Sequence, residues 1–278
     1  MNLTGSINQY ILALLLVNTV GLYAQENKSN EAFSPKEGQD GKDVLWIPTP
    51  YKLVDLMLEI ADVNEKDYLI DLGSGDGRIV IAAARLGARS LGIEYNHEMV
   101  EYSKQKAKEA GVSNKTDFVT ADIFGYDLSR ATVITMFLLP EINLKLRPQL
   151  LDLKPGTRIV SNTFSMGDWE PDAEDVTNEN WDSWYTALMW IVPARIEGKW
   201  KFQKGELNID QSFQKFYGTY TSDNMTSAIT SGKVKGDAIT FTIGGTEYTG
   251  RVIGKSTMWG TYRKGTSKRS WFAIHVEV

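Results

Sequence analysis

Apolar positions follow two different rhythms along this chain, and the change comes near residue 193. Before it, short apolar runs alternate with longer stretches of helical spacing. Tyr68-Leu69-Ile70, Arg89 to Glu94, Thr116 to Thr120, Ala131 to Phe137 and Thr157 to Ser161 read as strands. A helix is expected from about His97 to Ala110, stopped by Gly111, and another runs from Pro140 to about Leu151. Lys154-Pro155-Gly156 is a turn, and an antiparallel edge strand is expected near Trp184 to Val192. Such alternation predicts an α/β fold with a mainly parallel, Rossmann-like sheet, whose ligands bind at the carboxyl ends of its strands.

From Gly198 onward the rhythm is two residues, as in Trp200-Lys201-Phe202, Ala238 to Ile243 and Glu247 to Val252. Glycine turns recur at Gly232, Gly236, Gly244-Gly245, Gly254 and Gly265. This predicts an antiparallel all-β barrel or sandwich of six to eight strands. Trp200, Trp259 and Trp271 are expected in its core. It carries no catalytic constellation and no nucleic-acid motif, so no nucleic acid is expected as a partner. The chain is thus organised as 1–24, 25–43, 44–193 and 194–278. Residues 25–43 read as a polar linker.

Tyr10 to Ala24 is apolar but broken by Asn18-Thr19 and Gly21, too short and interrupted for a transmembrane helix. It fits a signal peptide cut after Ala24, which implies export to a periplasm or beyond the cell. No Lys or Arg precedes it. An uncleaved anchor, giving membrane association through residues 10–24, and a helix of a cytoplasmic protein are the alternatives.

Composition narrows the chemistry. There is no cysteine, which removes disulfides, thiolate metal sites and cysteine nucleophiles. The two histidines, His97 and His275, are far apart in sequence, so no metal site and no Ser-His-Asp triad is expected. His97, at a helix start, reads as a surface or capping residue. Charge is divided: residues 1–193 carry 17 Lys/Arg against 28 Asp/Glu, and residues 194–278 carry 13 against 7. The two parts therefore differ by sign, −11 against +6.

The densest signal is Asp71-Leu72-Gly73-Ser74-Gly75-Asp76-Gly77-Arg78, between a strand and a helix. Glycines there let a ligand lie against the backbone, and the new helix offers unpaired N–H groups. A dinucleotide fingerprint would be G-x-G-x-x-G; here the spacing is G-x-G-x-G, with carboxylates at Asp71 and Asp76. Two acids suit a ligand bearing an ammonium and a sulfonium, such as S-adenosylmethionine, better than a pyrophosphate. Glu94 ends the second strand, where a carboxylate can accept ribose hydroxyls. Asp122, followed by Ile123, ends the third, where an acid can take the adenine amino group. Asp71, Gly73, Ser74, Gly75, Asp76, Gly77, Glu94, Asp122 and Ile123 are thus the candidate cofactor residues.

With these residues in place, the chain resembles the class I S-adenosylmethionine-dependent methyltransferases. More narrowly, it is similar to the ATP synthase c-subunit lysine N-methyltransferases and their bacterial relatives. The resemblance rests on Val44 to Pro50, Asp71 to Ala84, Leu138-Leu139-Pro140-Glu141 and Met166 to Asp172, and spans roughly residues 44–192. It implies methyl transfer from S-adenosylmethionine to a protein lysine. In relatives the segment around Trp46 folds over the cofactor, which makes Pro48, Thr49 and Tyr51 site-lining candidates; Thr49 before Pro50 also reads as a helix-capping turn. Leu139 and Pro140 are candidates on the acceptor side. A small-molecule acceptor is the alternative within this chemistry. An exported binding protein on a methyltransferase scaffold is the alternative outside it. Methyl transfer depends on alignment and water exclusion, so no catalytic acid–base residue is named.

Between Arg158 and Arg195 the chain holds seven acids and no Lys or Arg, interleaved with Trp169, Trp181, Trp184, Tyr185 and Trp190. Acids draw in a cation and aromatic faces hold one. Asp168 and Trp169 are therefore further acceptor-side candidates. A solvated acidic loop, or a docking surface for the basic C-terminal part, fits the same pattern.

Overall fold

The computed structural model describes residues 33–42, 45–177 and 185–276. Residues 10–24, with their export and membrane expectations, lie outside the described residues, as do Glu179, Trp181, Asp182 and Trp184. The chain divides into two units, Met1–Ser34 and Pro35–Val278, and the second holds every helix and strand named below.

Helix α1 (Tyr51–Ile60) leads into β1 (Tyr68–Leu72), α2 (Arg78–Arg85), β2 (Arg89–Glu94), α3 (His97–Glu109), β3 (Thr116–Thr120) and β4 (Val133–Met136). Then come α4 (Pro140–Leu151), β5 (Arg158–Asn162), β6 (Ala173–Val176) and β7 (Thr186–Ile191). They form one seven-stranded sheet in the order β3-β2-β1-β4-β5-β7-β6. Strands β1 to β5 are parallel; β7 runs antiparallel against both β5 and β6.

Period-two alternation sorts each strand between two apolar layers. Ile70, Leu72, Ile134, Met136, Ile159 and Trp190 face Leu146, Leu150 and Trp169. Leu69, Val133, Val160 and Met189 face the other way, onto Leu53, Val54, Met57 and Leu58 of α1 and Ile79 and Ala83 of α2. Strand order reverses between β1 and β4, so the sheet's crevice opens at their carboxyl ends.

The rest of the chain closes into an eight-stranded antiparallel barrel. Its strands are β8 (Gly198–Phe202), β9 (Gly205–Ser212), β10 (Lys215–Ser222), β11 (Met225–Lys235), β12 (Ala238–Ile243), β13 (Thr246–Ile253), β14 (Thr257–Lys264) and β15 (Ser267–His275). Their order is β10-β11-β12-β13-β14-β15-β8-β9. A barrel of eight strands is just wide enough for side chains to fill it. Phe202, Phe241 and Trp271 do so, with ring centroids 5.5–6.1 Å apart. Trp200 and Trp271 are buried as expected. Trp259 is not: it is 50% exposed, because its neighbours Met258 and Gly260 take the inward positions of the pleat.

One barrel rim meets the sheet. Phe213 stacks on Trp169 with centroids 5.8 Å apart. The Gln214 side chain donates to the Glu170 carbonyl at 2.7 Å, and Lys215 pairs with the Glu170 carboxylate.

Candidate functional site

The carboxyl ends of β1, β2, β3 and β4 open onto a cavity of about 410 Å³, within the roughly 300–1,000 Å³ of small-molecule sites. The glycine loop between β1 and α2 forms its floor. Gly77, at φ 78°, is the residue from which α2 starts; a Cβ there would lie 2.7 Å from the Phe118 ring. At Gly75, φ 52°, a Cβ would meet Trp46 Nε1 at 2.3 Å. Only glycine fits both positions. The loop is pinned: Gly73 and Ser74 N–H donate to the Ile93 carbonyl at 2.9 and 3.0 Å, and Ser103 Oγ donates to the Gly75 carbonyl at 2.9 Å.

Asp71 is 3% exposed at the end of β1 and accepts a 2.7 Å hydrogen bond from Thr135 Oγ1. Burial pushes its carboxyl up to about 7; the Thr135 bond opposes the rise, and the nearby Asp76 and Glu94 charges add to it. No cation offsets these acids at Asp71. Glu94 receives the Gly75 N–H on Oε2 at 3.0 Å and the Asn96 N–H on Oε1 at 2.9 Å. Each oxygen keeps a lone pair for a ligand hydroxyl.

Asp76 turns instead to Arg78, which donates to it through Nη2 at 2.7 Å and Nε at 2.9 Å. Arg78 also reaches the Thr49 carbonyl at 2.8 Å, so the pair fastens the segment before α1 to the glycine loop. Asp122 accepts from Lys42 Nζ at 2.8 Å and from the Phe124 N–H at 3.0 Å. Lys42 first, then the Phe124 N–H, holds its carboxyl below the ordinary range.

Lys42 belongs to a hairpin expected from sequence to be linker. Gly38 N–H donates to the Trp46 carbonyl and Trp46 N–H to the Gln39 carbonyl, both at 2.9 Å. The hairpin lines one side of the cavity and sets Lys42 4.9 Å from the Tyr95 ring. Polar composition alone gave no sign of these tertiary partners.

Of the sequence candidates, Asp71, Gly73, Ser74, Asp76, Glu94, Asp122, Ile123, Pro48, Thr49 and Leu139 line the cavity together. Gly75 and Gly77 shape the loop beneath it. Four candidates stand elsewhere. Tyr51 is 66% exposed, with the Arg78 guanidinium 4.7 Å over its ring. Pro140 opens α4 beside the cavity rather than lining it. Asp168 is exposed and paired to Arg147. Trp169 is fully buried between Trp190, whose Nε1 donates to the Trp169 carbonyl at 2.7 Å, and Phe213 of the barrel. Of the readings of this stretch, Trp169 and Glu170 fit docking onto the C-terminal part: both serve the barrel contact. Asp172, half-buried, accepts the Ile191 N–H at 2.8 Å. Thr49 does not cap α1, which starts at Tyr51 with Pro50 as the residue before it; its hydroxyl accepts from Asn162 at 3.3 Å. Asn96, not His97, caps α3, and His97 is exposed.

Trp46, Tyr95, Phe137 and Phe164 line the cavity without having been candidates. Phe137 and Phe164 stack with centroids 6.1 Å apart, directly after β4 and β5. The carboxyl-end rule applied to β4 and β5 finds both.

A buried carboxylate with no cation at its side suits a cationic ligand, and Glu94 keeps acceptors free for hydroxyls. The residues present therefore fit S-adenosylmethionine: acids for its ammonium and hydroxyls, and glycine backbone where it must pass closely. Among the described residues no group of three or more His, Cys, Asp or Glu is placed to hold a metal ion.

Residues 71–173 match the family described as the ANTKMT methyltransferase domain. A protein-lysine N-methyltransferase of Saccharolobus islandicus (strain REY15A) is 40% identical over 152 residues, 54% of this chain and 94% of that protein. The ATP synthase c-subunit lysine N-methyltransferase of Mus musculus is 33% identical over 46% of this chain; the match spans 51% of the mouse protein, about half its length. Among solved structures, an RNA methyltransferase from Salinibacter ruber in complex with S-adenosyl-L-homocysteine is 49% identical, with a TM-score of 0.51. That match covers 54% of this chain and 96% of the other. On the geometry of the cavity and these likenesses, the chain belongs to the ANTKMT methyltransferase family, enzymes that draw their methyl group from S-adenosylmethionine.

Proposed function

We propose that the protein methylates the side-chain amine of a protein lysine. The observation that carries this reading is the cavity's charge and lining. Five acids line it (Asp40, Asp71, Asp76, Glu94 and Asp122) against two bases, Lys42 and Arg78, each already paired with an acid. Beyond the acids stand Phe137, Leu138, Leu139 and Phe164. With Asp71, Glu94 and Asp122 given to the cofactor and Asp76 to Arg78, an approaching ammonium meets Asp40 and this apolar, aromatic wall.

In this reading Glu94 holds the ribose hydroxyls, Asp71 faces the methionine ammonium, and Asp122, with Ile123 beside it, takes the adenine amino group once Lys42 yields. Gly73, Ser74, Gly75, Asp76 and Gly77 form the cradle. When bound, S-adenosylmethionine supplies a methyl on a sulfonium, open to displacement by an amine lone pair. The chain's share is alignment and dryness. Phe137, Leu139 and Phe164 exclude water, and an apolar wall lowers the pKa of an entering lysine, freeing its lone pair. No histidine is required for this.

The name of the Salinibacter structure favours a second acceptor class, RNA. An RNA acceptor asks for unpaired cations at the mouth to meet phosphates. The lining sets five acids against two bases, Lys42 and Arg78, so the lysine reading is preferred. Incubation of the full chain with methyl-tritiated S-adenosylmethionine and separated protein and RNA fractions of one cell extract tests the choice. Protease-sensitive label, mapped by peptide mass to methylated lysine, is the expected result. Label confined to ribonuclease-sensitive material would overturn the lysine acceptor and leave the cofactor site standing.

A further inference from the structure

Strands β13 to β15 turn large apolar side chains outward, away from the filled barrel interior. Ile253, Trp259, Phe272 and Ile274 are 51%, 50%, 56% and 48% exposed. They are neighbours: Trp259 lies opposite Phe272, while Ile253 and Ile274 both lie opposite Thr257 from its two sides. On the far side of the barrel, β10 and β11 show Thr219, Thr221 and Thr230 at outward positions, with Tyr217 and Met225 exposed singly. Single exposed apolar residues need no explanation; a patch spread over three adjacent strands does.

The charge around the patch is mostly positive, with Glu247 the exposed acid near the start of β13. From Tyr248 to Val276 the chain holds six bases and no acid. Arg251 stands beside Trp259, Lys255 follows Ile253, and Arg263, Lys264, Lys268 and Arg269 flank the tip of the β14–β15 hairpin. Only Arg251 is neutralised, by Asp237 at 2.7 Å. The other five have no ion-pair partner among the described residues. On β8 next to Ile274 lies Lys201, with Glu206 beyond it and held 3.9 Å from Lys199.

We propose that the outer face of β13–β15 docks the protein on an anionic membrane surface. Trp259, Phe272, Ile253 and Ile274 enter the interfacial layer, and the hairpin cations lie over the headgroups. Tryptophan favours that layer, and unpaired Lys and Arg near it are drawn by anionic lipid. The aliphatic members favour lipid over nucleic acid, since isoleucine offers no face for a base to stack on. The cations count against pairing of two copies, which would set like charges together across a two-fold axis.

The chain's lack of cysteine makes a local test direct. The full-length Ile274→Cys variant carries one environment-sensitive dye on the patch; Thr219→Cys carries it on the opposite side. Vesicles of phosphatidylglycerol and phosphatidylcholine in equal parts should shift the dye at 274 to the blue and raise its intensity several-fold. The dye at 219 should not respond, and neither should respond to pure phosphatidylcholine. Adding Arg263→Glu and Lys268→Glu should abolish the response at 274, with circular dichroism unchanged. No response at 274, or equal responses at both positions, would overturn the proposal. So would the same response at 274 to polyuridylate, or to raised protein concentration alone with a dimer mass in light scattering.

Discussion

The sheet and the barrel bury different things. Every buried polar side chain among the described residues except Gln214 belongs to the α/β part; they include Asp71, Ser74, Thr135, Asn143 and Asn162. The barrel interior is Trp, Phe, Ile, Val, Leu, Met and Ala, with Gln214 at the rim that meets the sheet. Buried polar groups cost stability unless they find partners, so their concentration marks where structure has been given over to a ligand. Ser74 Oγ, Ser90 Oγ, Asn143 Oδ1, Trp169 Nε1 and, in the barrel, Gln203 Nε2 are buried with no hydrogen-bond partner among the described residues; of these Ser74 lines the cavity. The parallel sheet can carry such a site because its strands all end on one side, where loops and helix starts converge. The barrel's strands alternate in direction, its inside is full, and what it has to offer is its outside.

The contrast can be tested hardest in the barrel core. Trp271 is 2% exposed among Phe202, Phe241 and Tyr248. Trp271→Ala should cost about 3–5 kcal/mol of stability, read as a loss in denaturant midpoint, with S-adenosylmethionine affinity unchanged in the folded fraction. A parallel loss of affinity would show that the barrel shapes the pocket and break the separation.

Asp71 sharpens the other side. Its folded carboxyl lies at about 7, against an ordinary 3.8, and each unit of such a shift corresponds to about 1.4 kcal/mol. Between those values the folded state binds more protons than the unfolded one, so stability falls as pH rises through the window and levels off above it. Asp71→Asn keeps an acceptor for Thr135 and removes the slope. Thermal melts from pH 4.5 to 8 should show the variant gaining on the wild type, by a few kcal/mol at most. Saturating S-adenosylmethionine should shrink the gain, because its ammonium offsets the wild-type charge. A difference that stays flat with pH would mean that Asp71 ionises in the pocket at no cost.

Glu94 gives the smaller expected effect. Glu94→Ala removes acceptors for ribose hydroxyls and should weaken S-adenosylmethionine binding by about 1.5–3 kcal/mol, the range for hydrogen bonds to charged groups. Calorimetry measures it, and the barrel's melting should not move. Unaltered affinity in a folded variant would remove Glu94 from the site.

Much of the α/β part was legible in the chain. Apolar runs and helix stops placed β1 to β5 and α3 and α4 to within a few residues, since burial on both faces of a parallel sheet leaves continuous apolar segments. The loop from Asp71 to Gly77 and the acids Glu94 and Asp122 share one cavity wall because strands β1, β2 and β3 are adjacent and co-directional. Strand β6, formed by Ala173-Glu174-Asp175-Val176, went unseen; only an exposed edge tolerates so acidic a strand.

The sequence by itself determined the two architectures and the acids of the pocket, because periodicity, glycine spacing and charge are local properties of a chain. Only the tertiary structure decided which partner each charge meets. Asp76 goes to Arg78, Asp122 to Lys42 and Glu170 to Lys215, a residue 45 positions away. It likewise decided that Trp169 is core while Trp259 is surface. Both are tryptophans in mixed polar contexts; which face of a strand or loop is covered depends on what packs against it, and that is written in no neighbouring residue.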